Sequence, residues 1–478
     1  MSAARIIARN AGAQVAAELL SKLASLALFV IMARALGKTG FGDFTFSLSL
    51  ALLLTAFAGF GTSNILTREV ARDREEVHRL FWNAIAIKLA LGSLALLVGT
   101  VITFVGHYDG SIRAVVAILT TGALVDALTN TVYATFLGFE DTRPTALSLL
   151  LQRYTTAIVG IVLLLLGAGV VPVAFVYLGG ALLAAAFAGA VLVRRMVRPR
   201  IEISAARAKR LLVTSLPIGI AGIFTTVLFR VDATLLSFLT NNTQVGLYSA
   251  AYRVLESTLF LTYVFTWTTL PTLSRLRRHT TPPIAQAYES ALKVIVVMLL
   301  PMGTGLLLFA NTLIDVLYGH PYAEAASALR LLGGAAALYG VTYLSTYLLV
   351  GQDRQRIVPW VTGGLALGNI ALNLVLIPAF GFDGAAAATS ITEAAGALLM
   401  TTFALRATGR ISLRRIAVGP VVASAAMGAA AAALGVGVLG IAAAAVAYPV
   451  VLLLVERRLF PADLKLIADS LRRRPVVA

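Results

Sequence analysis

The sequence predicts an all-α, polytopic membrane protein with about 14 transmembrane helices, and three observations carry that expectation. Apolar stretches of about 20 residues recur from end to end, and that length crosses a hydrocarbon core roughly 30 Å thick as helix. Basic residues crowd into every second gap between them, as cytoplasmic loops do. The 478 residues are 59% hydrophobic and 13% charged, with mean hydropathy +0.88, more apolar surface than a soluble chain of this size needs.

The apolar stretches fall near 10–34, 41–64, 81–105, 112–137, 146–167, 171–193, 211–237, 246–270, 288–310, 327–350, 357–378, 384–406, 416–436 and 437–455. Basic residues gather at Arg68, Arg72, Arg74 and Arg79, and then at Arg143. They return from Arg194 to Arg210, at Arg275 to Arg278, at Arg354 and Arg356, from Arg406 to Arg415, and in the tail. The opposite gaps hold little beyond Lys38 and Arg113. The alternation predicts an even helix count with both termini cytoplasmic, in a plasma membrane. Arg5 and Arg9 precede a full-length span and not a short cleavable segment, so the N-terminus is expected to stay inside.

The organisation expected is a six-helix bundle over 1–193, a cytoplasmic linker over 194–210, and a second six-helix bundle over 211–406. A terminal helix pair over 407–455 and a basic tail over 456–478 follow. In the tail, Leu464, Ile467, Ala468 and Leu471 beside Arg472 to Arg474 fit either an amphipathic helix on the inner leaflet or a solvated end. Six helices return the chain to the same side, so the two halves would be parallel repeats. Phe41-Gly42-Asp43-Phe44 has a counterpart in Val245-Gly246-Leu247-Tyr248, and Gly138 to Arg143 has one in Gly351 to Arg356. Both offsets are about 200 residues, and chance similarity of short turns competes with a repeat.

Composition excludes several chemistries. The net charge of +17 is spread over loops and suits anionic headgroups, not nucleic acid. Cysteine is absent, which removes thiol catalysis and Cys-based metal sites. His78, His107, His279 and His320 show no ligand spacing, so no metal or cofactor is expected. The short outer loops leave no room for a soluble active site, and a transporter is expected instead of an enzyme.

Charges inside the spans are the candidates for function, because each central Lys or Arg costs about 2.5–3.5 kcal/mol to insert. Glu18 and Lys22 share a face of the first helix, as a cavity-facing cation or a self-neutralising pair. Arg230 and Arg253 lie at similar distances either side of the Asn241-Asn242 turn, with Asp232 and Glu256 nearby. Two guanidiniums at one depth suit a phosphate, which Arg grips bidentately; a structural Arg–Glu network is the alternative. Arg153 and Lys88 lie deeper than Lys293; Lys293 is expected to snorkel, and the other two either snorkel or bind. Arg34 and Asp43 flank the first outer turn and are expected to pair, as a clasp or a gate. Asp126 and Glu393, near mid-span, could carry a coupling proton or bind Na⁺, or serve as hydrogen-bonded structural acids. Asn369 and Asn373 share a face suited to interhelical hydrogen bonds, and Gly364 and Gly368 one suited to helix packing. Gly37-Lys38-Thr39 lacks the first glycine of a phosphate loop and lies in an outer turn, so it carries no nucleotide.

These residues together resemble a known family. Ala33-Arg34-Ala35-Leu36-Gly37 followed by Phe41-Gly42 and Phe44 is similar to the first hairpin of oligosaccharide flippases, within the multidrug/oligosaccharidyl-lipid/polysaccharide exporter superfamily. Thr67-Arg68-Glu69, Val231-Asp232, the run Val245 to Arg253, and Asn369 to Pro378 with Gly381, Gly384-Ala385-Ala386 and Glu393 fit as well. Ala58-Gly59-Phe60-Gly61 departs from it, lacking the acid expected before the second glycine. The resemblance implies two six-helix bundles around a central cavity and alternating access. It also implies a polyprenyl-(di)phosphate-linked oligosaccharide as cargo, moved to the outer leaflet for surface polysaccharide synthesis. Lys22, Arg153, Arg230 and Arg253 would then be the cationic substrate site. Arg34, Asp43, Asp232 and Glu256 would be gate or charge network, and Glu18, Asp126 and Glu393 the ion-coupling candidates. Expected partners are the lipid-linked glycan, membrane lipids, and glycan polymerases or glycosyltransferases; coupling would be to H⁺, Na⁺ or the membrane potential. The alternatives are a lipid II-type flippase, a drug/cation antiporter of the same superfamily, and a membrane-embedded glycan polymerase or ligase. The outer stretch 311–326, with Asp315, His320 and Glu324, is thin support for the last.

Overall fold

A computed structural model describes residues 3–275 and 283–461. Among these residues there are fourteen α-helices and no strand. They are α1 (Ala3–Gly59), α2 (Thr62–Arg72), α3 (Glu76–Val105), α4 (Gly110–Gly138), α5 (Arg143–Leu165), α6 (Val170–Val191) and α7 (Ala205–Leu239). The others are α8 (Asn242–Arg275), α9 (Pro283–Leu308), α10 (Ala310–Tyr318), α11 (Ala325–Gly351), α12 (Val358–Thr408), α13 (Leu413–Leu434) and α14 (Val438–Leu459). Eleven helices of the described residues are long and apolar enough to cross a bilayer. Leu97, Leu166 and Leu439 are 60%, 78% and 76% exposed, which suits a chain whose solvent is lipid.

The expected membrane passes are present, but glycine divides them differently. α1 contains two arms joined at Gly37, whose φ of 68° is open to glycine at little cost. The rings of Phe29 and Phe44 lie 6.1 Å apart, whereas fifteen residues of straight helix would separate them by about 22 Å, so the arms double back as a hairpin. Gly381 in α12 does the same at φ 58°: a Cβ built at Gly384 would lie 2.2 Å from the carbonyl oxygen of Leu376. The second pass, expected unbroken over 41–64, is interrupted at Phe60 and Gly61, with φ of 36° and 68°. A Cβ at Gly61 would meet the Gly219 nitrogen at 2.8 Å, and one at Gly219 would meet the Phe60 carbonyl at 2.9 Å. Close backbone approach to α7 therefore sets the break.

By compactness the chain forms two units. The first comprises 1–253, 318–322 and 362–388; the second comprises 254–317, 323–361 and 389–478. In the first, α1 packs on α3, α4, α5 and α7, and α4 packs on α6. Leu66, Val70, Val77, Phe81, Val132 and Phe136 form a core near its arginine-rich end. The linker after α6 is strapped to the start of α3: Trp82 donates to the Pro199 carbonyl, and Asn83 donates to that of Glu202.

In the second unit α9 packs on α11 and α13, and α13 packs on α14. Tyr288, Leu292, Ile295, Leu299, Leu344 and Leu348 centre its core. Lys293, expected to snorkel, instead pairs with Glu456 of α14 beneath the Phe460 ring. Glu456 is 5% exposed and reachable only because α14 packs back on the unit, which helical spacing does not reveal. Arg415 pairs with Glu289 at 3.0 Å, and the backbone N–H of Ser412 donates to the same carboxylate.

Lys88 does not snorkel either. It is 1% exposed, and its ammonium donates three bonds of 2.8 Å, to Ser63 Oγ, Thr131 Oγ1 and the Ala127 carbonyl oxygen. The clasp ties the segment beyond the Phe60–Gly61 break to α3 and α4. Hydrogen bonds to a buried charge are worth about 1.5–3 kcal/mol each. Ser63→Ala and Thr131→Ala are each expected to lower stability by about that amount, read as a reduced unfolding midpoint of the purified protein in detergent.

Candidate functional site

In the first unit, two hairpin turns meet at the end opposite the arginine-rich loops. A Cβ at Gly42 would lie 1.7 Å from the Asn242 carbonyl oxygen, and one at Gly246 would lie 2.0 Å from that of Lys38. The contact is reciprocal between the two turns whose sequences looked alike, and only glycine fits either side. Thr39 and Thr243 hydroxyls join across it at 2.9 Å.

A polar chain runs beside this seam. The Asn242 amide donates to Asp43 Oδ1 at 2.7 Å and accepts from the Ser237 hydroxyl at 2.6 Å; Ser237 pairs with the Tyr108 phenol at 2.9 Å. Burial pushes the Tyr108 phenol up from its usual range, so it stays neutral there. The expected Arg34–Asp43 clasp is corrected: Asn242, brought in by the second hairpin, holds Asp43, while Arg34 is exposed at the end of the first arm.

Three further groups carry the other predicted residues. Asp126 of α4 accepts from Gln152 of α5 at 2.7 Å and from the Tyr177 phenol of α6 at 3.1 Å. Arg153, one residue on from Gln152 and exposed, is within electrostatic reach of Asp126. The charges of Arg153 and Arg230 both reach Tyr177. Guanidiniums from α5 and α7 thus both lie within electrostatic reach of one phenol, and a guanidinium is shaped to grip a phosphate bidentately.

Asp232, 2% exposed, accepts from Tyr248 and from Asn373, both at 2.7 Å. Asn373 also donates to Asn369 on its own helix, so the asparagine face does make the expected interhelical bond. Asn373 Oδ1 is buried without a donor. These carboxylate and amide oxygens are a donor set that a hard monovalent cation could take. Among the described residues no three His, Cys, Asp or Glu come together as a metal site.

Arg253 lies apart from Arg153 in its contacts. Its guanidinium sits 3.7 Å above the Phe29 ring, and its charge reaches Tyr318. Tyr322 caps this aromatic group by donating to the Ala33 carbonyl at 3.0 Å. In the second unit Glu256 is half-buried on α8, and the charge of Glu393 on α12 reaches Tyr339. Glu18 and Lys22 fall within α1, but their side chains lie outside the described residues, as does the whole tail helix expected over 464–474. Gly364 and Gly368 meet nothing within 4 Å; Gly363, against Phe224, is the packed one.

Sequence reasoning missed Gln152, Tyr177 and Tyr248, because a polar residue's partner on another helix leaves no trace in spacing. It also missed Tyr339, Tyr343 and Tyr347, whose four-residue interval was available as a signal.

Residues 7–277, over half of the chain, match the family described as polysaccharide biosynthesis protein. The chain belongs to that family. Two relatives carry related names. The succinoglycan biosynthesis transport protein ExoT of Rhizobium meliloti is 26% identical over 396 residues, 78% of this chain and 76% of that protein. A Haloferax volcanii protein named as a probable low-salt glycan biosynthesis flippase, Agl15, is 23% identical over 169 residues. That match covers 35% of this chain and spans about a third, 36%, of the archaeal protein. Among solved structures, the lipid II flippase MurJ in an inward closed conformation shares the fold with a TM-score of 0.77. It is 14% identical, over 93% of this chain and 99% of that one. The flippase resemblance of the hairpin motifs is thus borne out at the level of family, and the exporter-superfamily fold at the level of architecture.

The chain has no cysteine, so a single introduced thiol can be read without background. Ser237→Cys is expected to label slowly with a membrane-impermeant maleimide while the seam is closed, and severalfold faster once Gly42→Ala is added.

Proposed function

We propose that this protein flips a polyprenyl-(di)phosphate-linked oligosaccharide from the inner to the outer leaflet of the plasma membrane by alternating access between two helical bundles. The observation that carries the reading is that the charges of Arg153 and Arg230, on different membrane-spanning helices, both reach Tyr177, with Asp126 within electrostatic reach of Arg153. Cations in that setting are costly, and an anionic headgroup arriving beside them would be held by charge. A diphosphate headgroup supplies one, and its lipid tail can remain in the bilayer. Membership in a polysaccharide biosynthesis family and the glycan-transport names of two relatives supply the cargo class.

Arg153 and Arg230 bind the phosphate, and Arg253 adds a third cation once its stack on Phe29 opens. The Gly42–Gly246 seam is the outer gate: while it is closed, the headgroup reaches the arginines only from the side of the basic loops. Moving one negative charge outward against an inside-negative potential of 100 mV gains about 2.3 kcal/mol. The potential alone therefore favours export, and the step is physical movement with no covalent chemistry. Asp126, held by Gln152 and Tyr177, is the site for a coupling proton, and the Asp232–Asn373 cluster is the site for a coupling cation. Both termini lie in the cytoplasm, and glycosyltransferases on that face supply the cargo.

Purified protein in vesicles is expected to flip the polyprenyl-linked oligosaccharide, and Arg230→Ala or Arg153→Ala to slow flipping at least about tenfold, equivalent to about 1.4 kcal/mol, with membrane insertion unchanged. Flipping of lipid II in the same vesicles, without flipping of the oligosaccharide carrier, would assign the cargo to peptidoglycan synthesis instead. Asp126→Asn is expected to flatten the pH dependence of the flipping rate while leaving its response to membrane potential.

A further inference from the structure

The second unit carries a ladder of four tyrosines. Tyr339, Tyr343 and Tyr347 stand four residues apart on α11, share one face, and cover about 12 Å of its length. Tyr263 of α8 completes it. Ring centroids are 4.9 Å apart for Tyr263–Tyr343, 5.8 Å for Tyr339–Tyr343 and 4.7 Å for Tyr343–Tyr347. The phenols of Tyr263 and Tyr339 pair at 2.8 Å, and Tyr343 donates to Tyr347 at 3.2 Å. The Glu393 carboxylate is within electrostatic reach of Tyr339.

Helix packing does not use up this face. α11 buries Leu344 and Leu348 completely in the core of the unit, and Ser345 bonds Tyr288 there at 2.7 Å. Tyr263, Tyr343 and Tyr347, by contrast, are each only half-buried. An interfacial belt would account for Tyr347, one turn from the helix end at Gly351. Tyr343 and Tyr339 lie about two and three turns from that end, too deep for a belt. A lipid-facing strip would carry residues such as the Leu94 and Leu97 of α3, since a phenol in hydrocarbon must find a partner. Tyr343, half-exposed at this depth, with the buried Tyr339 behind it and Tyr263 and Tyr347 half-exposed beside it, makes a wall with both apolar and hydroxyl surface.

We infer that the Tyr263–Tyr339–Tyr343–Tyr347 ladder is a carbohydrate platform on which the sugar rings of the cargo rest during transit. The inference builds on the proposed flippase function and adds the part of the protein that handles the glycan. The C–H face of a pyranose is apolar and slightly positive, and it sits against the negative face of an aromatic ring. The phenols exchange hydrogen bonds with sugar hydroxyls as donors and acceptors, and Glu393 accepts from them. Stacking on a row of rings does not depend on one linkage or one stereocentre, so the platform would tolerate a long glycan sliding along it.

The test uses the intact protein in vesicles with two carriers: the host's own polyprenyl-linked oligosaccharide, and the same lipid trimmed by glycosidases to its first sugar. Tyr343→Leu keeps bulk and apolarity but removes the ring; Tyr343→Phe keeps the ring. The platform predicts that Tyr343→Leu slows the full-length carrier about tenfold, equivalent to about 1.4 kcal/mol, leaves the trimmed carrier near wild type, and is largely rescued by Tyr343→Phe. Equal slowing of both carriers, or a lowered melting temperature with unchanged flipping, would make the ladder a packing device and overturn the inference. If the wild-type protein flips neither carrier, the proposed function fails. The platform is then judged by saturation transfer from the protein to the free oligosaccharide, which supports it if present and lost in Tyr343→Leu, and sinks it if absent.

Discussion

Two helical hairpins in the first unit touch backbone to backbone at Gly42 and Gly246, and the polar architecture around them follows from that contact. A single Cβ on either side would lie within 2.0 Å of a carbonyl oxygen, so the approach depends on two residues that have none. The close approach brings Asn242 to Asp43 and lets Ser237 and Tyr108 complete a neutral chain. It also puts Asn242 on the Asp43 carboxylate, which the sequence pattern pairs with Arg34. The closest contacts of the seam are thus backbone against backbone, set by two glycines and not by side-chain charge.

Charge inside the membrane is handled in three ways. Lys88 is satisfied by hydrogen bonding, its ammonium donating to three oxygens of α2 and α4, and it works as a rivet beside a broken helix. Lys293 and Arg415 are neutralised by carboxylates of the second unit and hold helices together. Arg153 lies within electrostatic reach of Asp126, Arg153 and Arg230 both reach Tyr177, and Arg253 stacks on an aromatic ring.

The two units contribute different chemistry. Guanidiniums and the asparagine–aspartate cluster lie in the first, where a phosphate or a cation would be recognised by charge. The tyrosine ladder lies in the second, where recognition would run through ring faces and hydroxyl groups. A cargo with a diphosphate at one end and sugars at the other asks for both kinds of surface.

The sequence by itself determined the class, the passes and the family. Twenty-residue apolar stretches and basic gaps are one-dimensional consequences of a bilayer's thickness and polarity, so they can be read from the chain directly. The hairpin motifs named the family because turn residues act locally. Asn369 and Asn373 were read correctly as helix-to-helix donors from their shared face alone. Only the tertiary structure decided which charges pair. Asp43 goes to Asn242, about 200 residues away, and Lys293 to Glu456, more than 160 away. Helical spacing fixes which residues share a face of one helix, but it says nothing about the helix that packs there. Lys88 and Arg153 could not be told apart by depth; neighbours on other helices give them different surroundings, and the energy of a charge in a membrane is set by what surrounds it.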